Sequence, residues 1–332
     1  DEAGNFEGRS IPNLLGGTLE QRAGEIGMPL DQLVERLGRL HDRLRAARER
    51  RVRPGTDDKI LTAWNGLMVS AFARAYQAFG READLDAARA ALGFVASRML
   101  DDDRVRVSYR AGRAKLNGYL DDYAFLGRGA LDLYEASFDD RWLTLAERLA
   151  RSLSTHFADR DQGGFWFVSH DHEGLIARNR SAQDGALPSG AGVAVELLLR
   201  LAAHLDDDPF RELAERALAA YRPAVDRAPS AFASLLIAAD WARGPLTEVA
   251  IVGASADRGA MRELLDVVHA RFRPRLVLAA GSPVDGGPRR PLLAGKQPLD
   301  GRPTAFVCRD YACRQPVTTA AALAAELDRI DG

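Results

Sequence analysis

The chain has 332 residues, 46% of them hydrophobic and 28% charged, a balance that supplies a sizeable core and excludes a disordered chain. A formal net charge of -2 gives nothing to draw it to nucleic acid or an anionic membrane, and the sequence holds no apolar run long enough to cross one. Two cysteines exclude a disulfide-rich scaffold and a four-thiolate zinc site, and they point to the cytoplasm.

The opening DEAGNFEGRSIPNLLGG has neither a Met nor an apolar signal core, as expected of a piece cut from a longer chain. Leu33, Leu37, Leu40 and Leu44 then recur at helical spacing behind Pro29 and Asp31, which predicts an amphipathic helix over 29–51. The stretch 57–80 carries Trp64, Leu67, Met68, Ala71, Phe72, Ala75 and Phe79 on a broad apolar face and stops at Gly80. A more polar helix follows over 82–100. The same alternation of an apolar and a more charged helix recurs at 119–137 and 140–157, and at 188–205 and 209–225, before another apolar helix at 228–242. These are inner and outer pairs, spaced too loosely for a short solenoid repeat.

Two connections, 101–118 and 161–187, alternate short strand-like runs with Gly or Asp turns and read as β-hairpins. Each leads from an outer helix into the next inner one, so both belong at the end where inner helices begin. From about Leu246 the rhythm changes to strand, helix, strand, loop, strand, helix. The expected organisation is therefore a helical part over 1–245 and a small α/β subdomain over 246–332 with a mainly parallel sheet. VGASADRGA does not match the dinucleotide fingerprint and no phosphate loop is present, so no cofactor is expected.

Three inner-helix starts, GTDDKILTAWNG, GYLDDYAFL and DGALPSG, carry polar groups. If these helices are parallel, Asp57, Asp58, Lys59, Asn65, Asp121, Asp122, Tyr123, Asp184 and Ser189 surround a common opening. One Asp per start is accounted for by N-capping. A second admits another reading, in which paired carboxylates with separated pKa values divide into general acid and general base, as in glycoside hydrolysis. Aromatic residues near these starts, Trp64, Tyr123 and Trp166 among them, could stack on sugar faces, and GGFWF is either a platform or a plug. Histidines 156, 170 and 172 fall near one loop without zinc spacing, and none of the six histidines lies at an inner-helix start; no metal is expected. Cys308 and Cys313 lack redox spacing and read as packing residues or an occasional disulfide. Ser189 reads as an N-cap rather than a nucleophile.

GNFEG (4–8), RPGTDDKILTAWNGLM (53–68), YLDDYAFL (119–126), GGFWF (163–167), DGALPSGAG (184–192) and AFVCRDYACRQP (305–316) together resemble the spermatogenesis-associated thioredoxin-domain proteins and their bacterial relatives. The resemblance covers nearly the whole chain. It implies a mainly α fold, an (α/α)6 toroid of the six-hairpin glycosidase type, following a thioredoxin-like domain that would be the partner of this segment. That domain's motif is absent here and the hairpins are too few for six, so the expected toroid is incomplete. The family's reaction is unassigned. The site expected on these grounds uses Asp58, Asp122 and Asp184 as catalytic carboxylates, with Trp64, Asn65, Tyr123, Trp166 and Ser189 binding a sugar or other small molecule; the alternative is a non-catalytic interaction module whose aspartates are caps.

Overall fold

The computed structural model describes residues 4–13, 15–172, 177–253, 258–282, 290–309 and 312–331. The chain forms two compact units that divide between Asp58 and Lys59. The first holds α1 (Leu19–Glu25), opened by a reciprocal Thr18–Gln21 capping box, and α2 (Leu30–Glu49). On α2 Leu33 is buried, but Leu40 and Leu44 are exposed.

The second unit begins with β1 (Ile60–Leu61), α3 (Thr62–Phe79) and α4 (Glu82–Arg98). Next come the short β2 (Leu100–Asp101) and the hairpin of β3 (Arg104–Arg110) and β4 (Arg113–Asn117). Four helices follow, α5 (Leu120–Ser137), α6 (Asp140–His156), α7 (Gly190–Leu205) and α8 (Asp208–Arg227), and then α9 (Ala233–Arg243). Helices α3, α5, α7 and α9 each pack on the next, while α4, α6 and α8 each lie back against the helix before them. The burial pattern matches this order, since α5 and α7 are buried nearly all round and α8 along one stripe only. Helices α3 to α9 therefore form an incomplete (α/α)6 toroid of parallel inner helices backed by antiparallel outer ones, and the fold is mainly α.

Glycine sets the inner spacing. A Cβ on Gly66 would lie 2.5 Å from the Phe125 carbonyl carbon, and one on Gly129 would lie 2.6 Å from the Gly66 oxygen, so α3 and α5 approach backbone to backbone. The hairpin expected over 101–118 is present, with Ser108 paired to Lys115 and Arg110 to Arg113. The described residues of 161–187 form no strand; a single bridge joins Phe165 to Ala158. Their backbone groups are met instead by α6, α5 and side chains, as where Leu120 N donates to the Phe167 carbonyl at 3.0 Å.

The C-terminal segment contributes β5 (Thr247–Val252), α10 (Arg258–His269), β6 (Leu276–Gly281), β7 (Thr304–Arg309), β8 (Ala312–Cys313) and α11 (Ala320–Asp331). The sheet order is β6-β5-β7-β8, with β5–β6 parallel and the other two pairs antiparallel. The expectation of a mainly parallel sheet is thus corrected. A helix crosses over between β5 and β6, but β7 arrives on the far side of β5 from a loop and pairs in the opposite sense. Cys308 and Cys313 stand opposite each other on β7 and β8 and are joined as a disulfide.

The change of rhythm at 245/246 falls inside the second unit. Ala250, Val252, Val277 and Ala279 join the helical core, whereas the alternate residues Val249, Ile251, Leu278 and Ala280 pack with Met261, Leu264, Leu323 and Leu327 of α10 and α11. Arg290, 5% exposed, donates to the Phe138 carbonyl at 3.1 Å and pairs with Asp140, tying this segment to the end of α5.

Candidate functional site

Because the inner helices are parallel, their N-termini share one end of the array, where unpaired backbone N–H groups and the positive ends of the helix dipoles collect. Asp122, at the third position of α5, accepts from Tyr119 N at 2.9 Å through Oδ2 and from Ala63 N, in the first turn of α3, at 3.1 Å through Oδ1. Asp121 stands against Gly190, the first residue of α7, where a Cβ would overlap its carboxylate. Asp184 accepts from Ser189 N at 2.8 Å and from Ser234 N, in the first turn of α9, at 2.9 Å. Ser189 caps α7 by accepting from Gly192 N at 3.1 Å. Two carboxylates therefore stitch neighbouring helix starts, Asp122 joining α5 to α3 and Asp184 joining α7 to α9, and Asp121 lies against the start of α7 between them.

The adjacent aspartates differ in environment from Asp184. Burial pushes the Asp122 carboxyl up to about 7, with the Asp121 charge adding to it and the N–H bonds from Tyr119 and Ala63 opposing it. Burial also raises Asp121, against the Gly190 N–H. At Asp184 burial acts the same way, but the hydrogen bonds from Ser234 and Ser189 outweigh it and hold the carboxyl below its ordinary range. A carboxyl near 7 has the proton affinity of a general acid. Asp122, however, is 3% exposed and both its oxygens are engaged by backbone donors. Of the pair, Asp121 is the less enclosed.

The other expected site residues separate. Trp64, in the first turn of α3, is 58% exposed and offers a free aromatic surface next to Ala63. Asn65 donates to the Leu61 carbonyl at 2.8 Å, a local bond at its own helix start. Tyr123 does not face an opening: it is fully buried, its ring lies 5.0 Å from that of Phe157, and its hydroxyl accepts from Val105 N at 3.0 Å. It is a core residue, because the apolar stripe of α5 passes through it. The ring of Trp166 lies beneath the guanidinium groups of Arg178 and Arg180, at 4.6 and 5.3 Å. In GGFWF, Phe165 is the plug, fully buried with its N–H donating to Tyr221 Oη at 2.8 Å. Asp58 ends the first unit with an exposed side chain.

Two groupings escape sequence reading. His172 stacks on Tyr119, the N-cap of α5, with ring centroids 5.4 Å apart, so a histidine does stand at an inner-helix start. Farther along α5 and α7, Arg200, 3% exposed, pairs with Asp132 at 2.7 Å and Glu135 at 2.8 Å, and His204 meets Glu135 at 2.8 Å. Burial alone would raise both carboxyls, but Arg74 with Arg200 and Arg128 holds Asp132, and Arg200 with His204 holds Glu135, below their ordinary range. The signal for this network was a run of charges in the middle of otherwise apolar helices.

No protein-family model matches the chain. Over 335 residues it is 32% identical to human spermatogenesis-associated protein 20, which covers 96% of this chain and 42% of the relative. The mouse protein of that name is 31% identical over 96% of this chain and 43% of its own length. An uncharacterised protein of Caenorhabditis elegans is 27% identical over 82% of this chain and 38% of its own. The chain thus spans about two fifths of the length of the curated relatives it matches. Among solved structures, a GH76 α-mannanase of Bacteroides thetaiotaomicron aligns at 19% identity over 51% of this chain and 47% of that one, with a TM-score of 0.41. A cellobiose 2-epimerase from Bacillus thermoamylovorans aligns at 13% identity over 51% and 46%, with a TM-score of 0.43.

Proposed function

We propose that this chain is the toroid segment of a protein of the spermatogenesis-associated protein 20 family, and that it recognises a carbohydrate at the N-terminal ends of its inner helices. The identity to the human protein, 32% over 335 residues, supports the family. The observation that carries the ligand reading is that an exposed indole and a carboxyl of raised pKa stand at the same end of the array. Trp64 is 58% exposed, and its neighbour Ala63 is bonded to Asp122, beside Asp121 with its raised pKa. An aromatic face covers the C–H face of a sugar ring while a carboxyl exchanges hydrogen bonds with its hydroxyls.

The same geometry ranks the roles. Two-carboxylate hydrolysis needs both groups free to give and take protons across a cleft. Asp122 and Asp184 are each held by two backbone donors, so in this reading they shape the site and Asp121 and Trp64 meet the ligand. The test is a thermal-shift titration of the chain with a panel of mono- and oligosaccharides, alongside Trp64→Ala and Asp121→Asn. A ligand that binds only the folded chain raises Tm by an amount set by RT ln(1 + [L]/Kd). The expected result is a saccharide-specific rise that disappears in Trp64→Ala, whose side chain is too exposed to be needed for folding. A panel without any rise, or a rise that Trp64→Ala leaves intact, rejects the reading.

A further inference from the structure

A second constellation lies apart from the carboxylate row. His156 is the last residue of α6, and His170 and Asp171 belong to the loop that returns past it. The backbone N–H of His170 donates to the His156 carbonyl at 2.9 Å, and the two imidazoles stack 5.0 Å apart at 13°. One ligand-type atom from each of His156, His170 and Asp171 lies within 4.8 Å of the other two. Nδ1 of His156 is buried, and no hydrogen bond reaches it among the described residues. Arg104 of β3 donates to Asp171 Oδ1 at 2.8 Å and to Ser169 Oγ at 3.4 Å.

We propose that His156, His170 and Asp171 form a binding site for one divalent transition-metal ion of the zinc class. Two imidazoles and a carboxylate suit Zn2+, Ni2+ or Cu2+ and are a poor set for Ca2+ or Mg2+, which prefer oxygen ligands. Bonds of about 2.0–2.2 Å around a tetrahedral ion put ligand atoms roughly 3.3 Å apart. His170 and Asp171 are exposed, so side-chain rotation alone can draw the three donors in from their present spacing. Three protein ligands leave a fourth position for water, as in open sites. The Arg104 guanidinium beside Asp171 opposes a dication, so the ion binds less tightly than in a closed four-ligand site. The loop also carries Phe167, whose ring stacks on Tyr119 at 5.0 Å. An ion here therefore ties the end of α6 to the loop that closes on the start of α5, and this holds whether or not a sugar binds.

The test uses the chain stripped with a chelator and titrated calorimetrically with Zn2+, with Co2+ added separately to read visible d–d absorption. The expected result is saturable uptake with one ion per chain dependent on these residues, lost in His170→Ala and in Asp171→Asn and kept in His41→Ala, which alters an exposed histidine of α2. Both loop residues are exposed, so their variants keep the fold; unchanged circular dichroism and Tm verify this. Absence of saturable uptake, uptake that survives His170→Ala, or uptake lost equally in His41→Ala overturns the assignment.

Discussion

Folding raises the proton affinity of Asp122, chiefly because burial penalises its charged form. Its carboxyl stands at about 7 in the folded chain and near 3.8 when free. Between those values the folded state binds more protons, so the contribution of this group to stability falls as pH rises from about 4 to about 7. Asn cannot titrate and offers a donor where Asp122 offers an acceptor. Asp122→Asn is therefore expected to lower Tm by a roughly constant amount from the lost backbone bond, about 1–3 kcal/mol for a buried donor left unmet, and to remove the Asp122 share of the pH slope. The check is the difference in Tm between variant and wild type across pH 4–7; a difference that does not change with pH contradicts the buried-acid account. At this scale the sequence displayed the doubled aspartate but not its use. Capping predicts one acceptor for one helix, whereas Asp122 also serves a neighbouring helix and Asp121 lies against another, both distant in sequence.

At the scale of elements, the contact between α3 and α5 depends on absent side chains. A Cβ on Gly129 would meet a backbone oxygen, which cannot rotate away, so Gly129→Ala is expected to cost about 1–3 kcal/mol by prising the helices apart. Gly93 in α4 has nothing within 4 Å of the corresponding position, and Gly93→Ala is expected to gain up to about 1 kcal/mol from helix propensity. Urea midpoints of the two variants measure both, and a loss at Gly93 comparable to that at Gly129 would rule out steric contact as the cause. The helices were legible because their 3.6-residue period repeats over many residues and ends in clear signals, as at Gly80, left-handed at φ 66. The region 161–187 was not, because Gly and aromatic residues suit a hairpin as well as a packed loop. Gly163 and Gly164 take φ of +76 and +80 there so that Phe165 can enter the core.

At the scale of the molecule, one core runs from the inner helices into the sheet, with Val252, Val277 and Leu293 in the same cluster as Val69, Leu131 and Leu198. Residues 59–332 are therefore expected to unfold in a single calorimetric transition. A chain ending at 245 should lose near-ultraviolet circular dichroism, because the faces that met β5 and β6 would be left to water. A truncated chain that melts cooperatively near the wild-type temperature would make the α/β segment an independent domain.

The amino-acid order by itself determined which stretches are helices and which of them are apolar enough to lie inside, because each of these rests on patterns within about 20 residues; the carboxylates expected at the start of α3 lie outside it, since that helix begins at Thr62, after Asp58. The tertiary structure decided everything that depends on who meets whom. It buried Tyr123 and left Trp64 open, and it reversed β7 against β5. It also brought His156 back to His170 and Asp171 across an intervening loop and turned two adjacent aspartates toward different helices. The physical reason is that hydrogen bonds and ligand sets join groups close in space, and local propensity carries no information about which distant segment supplies the partner.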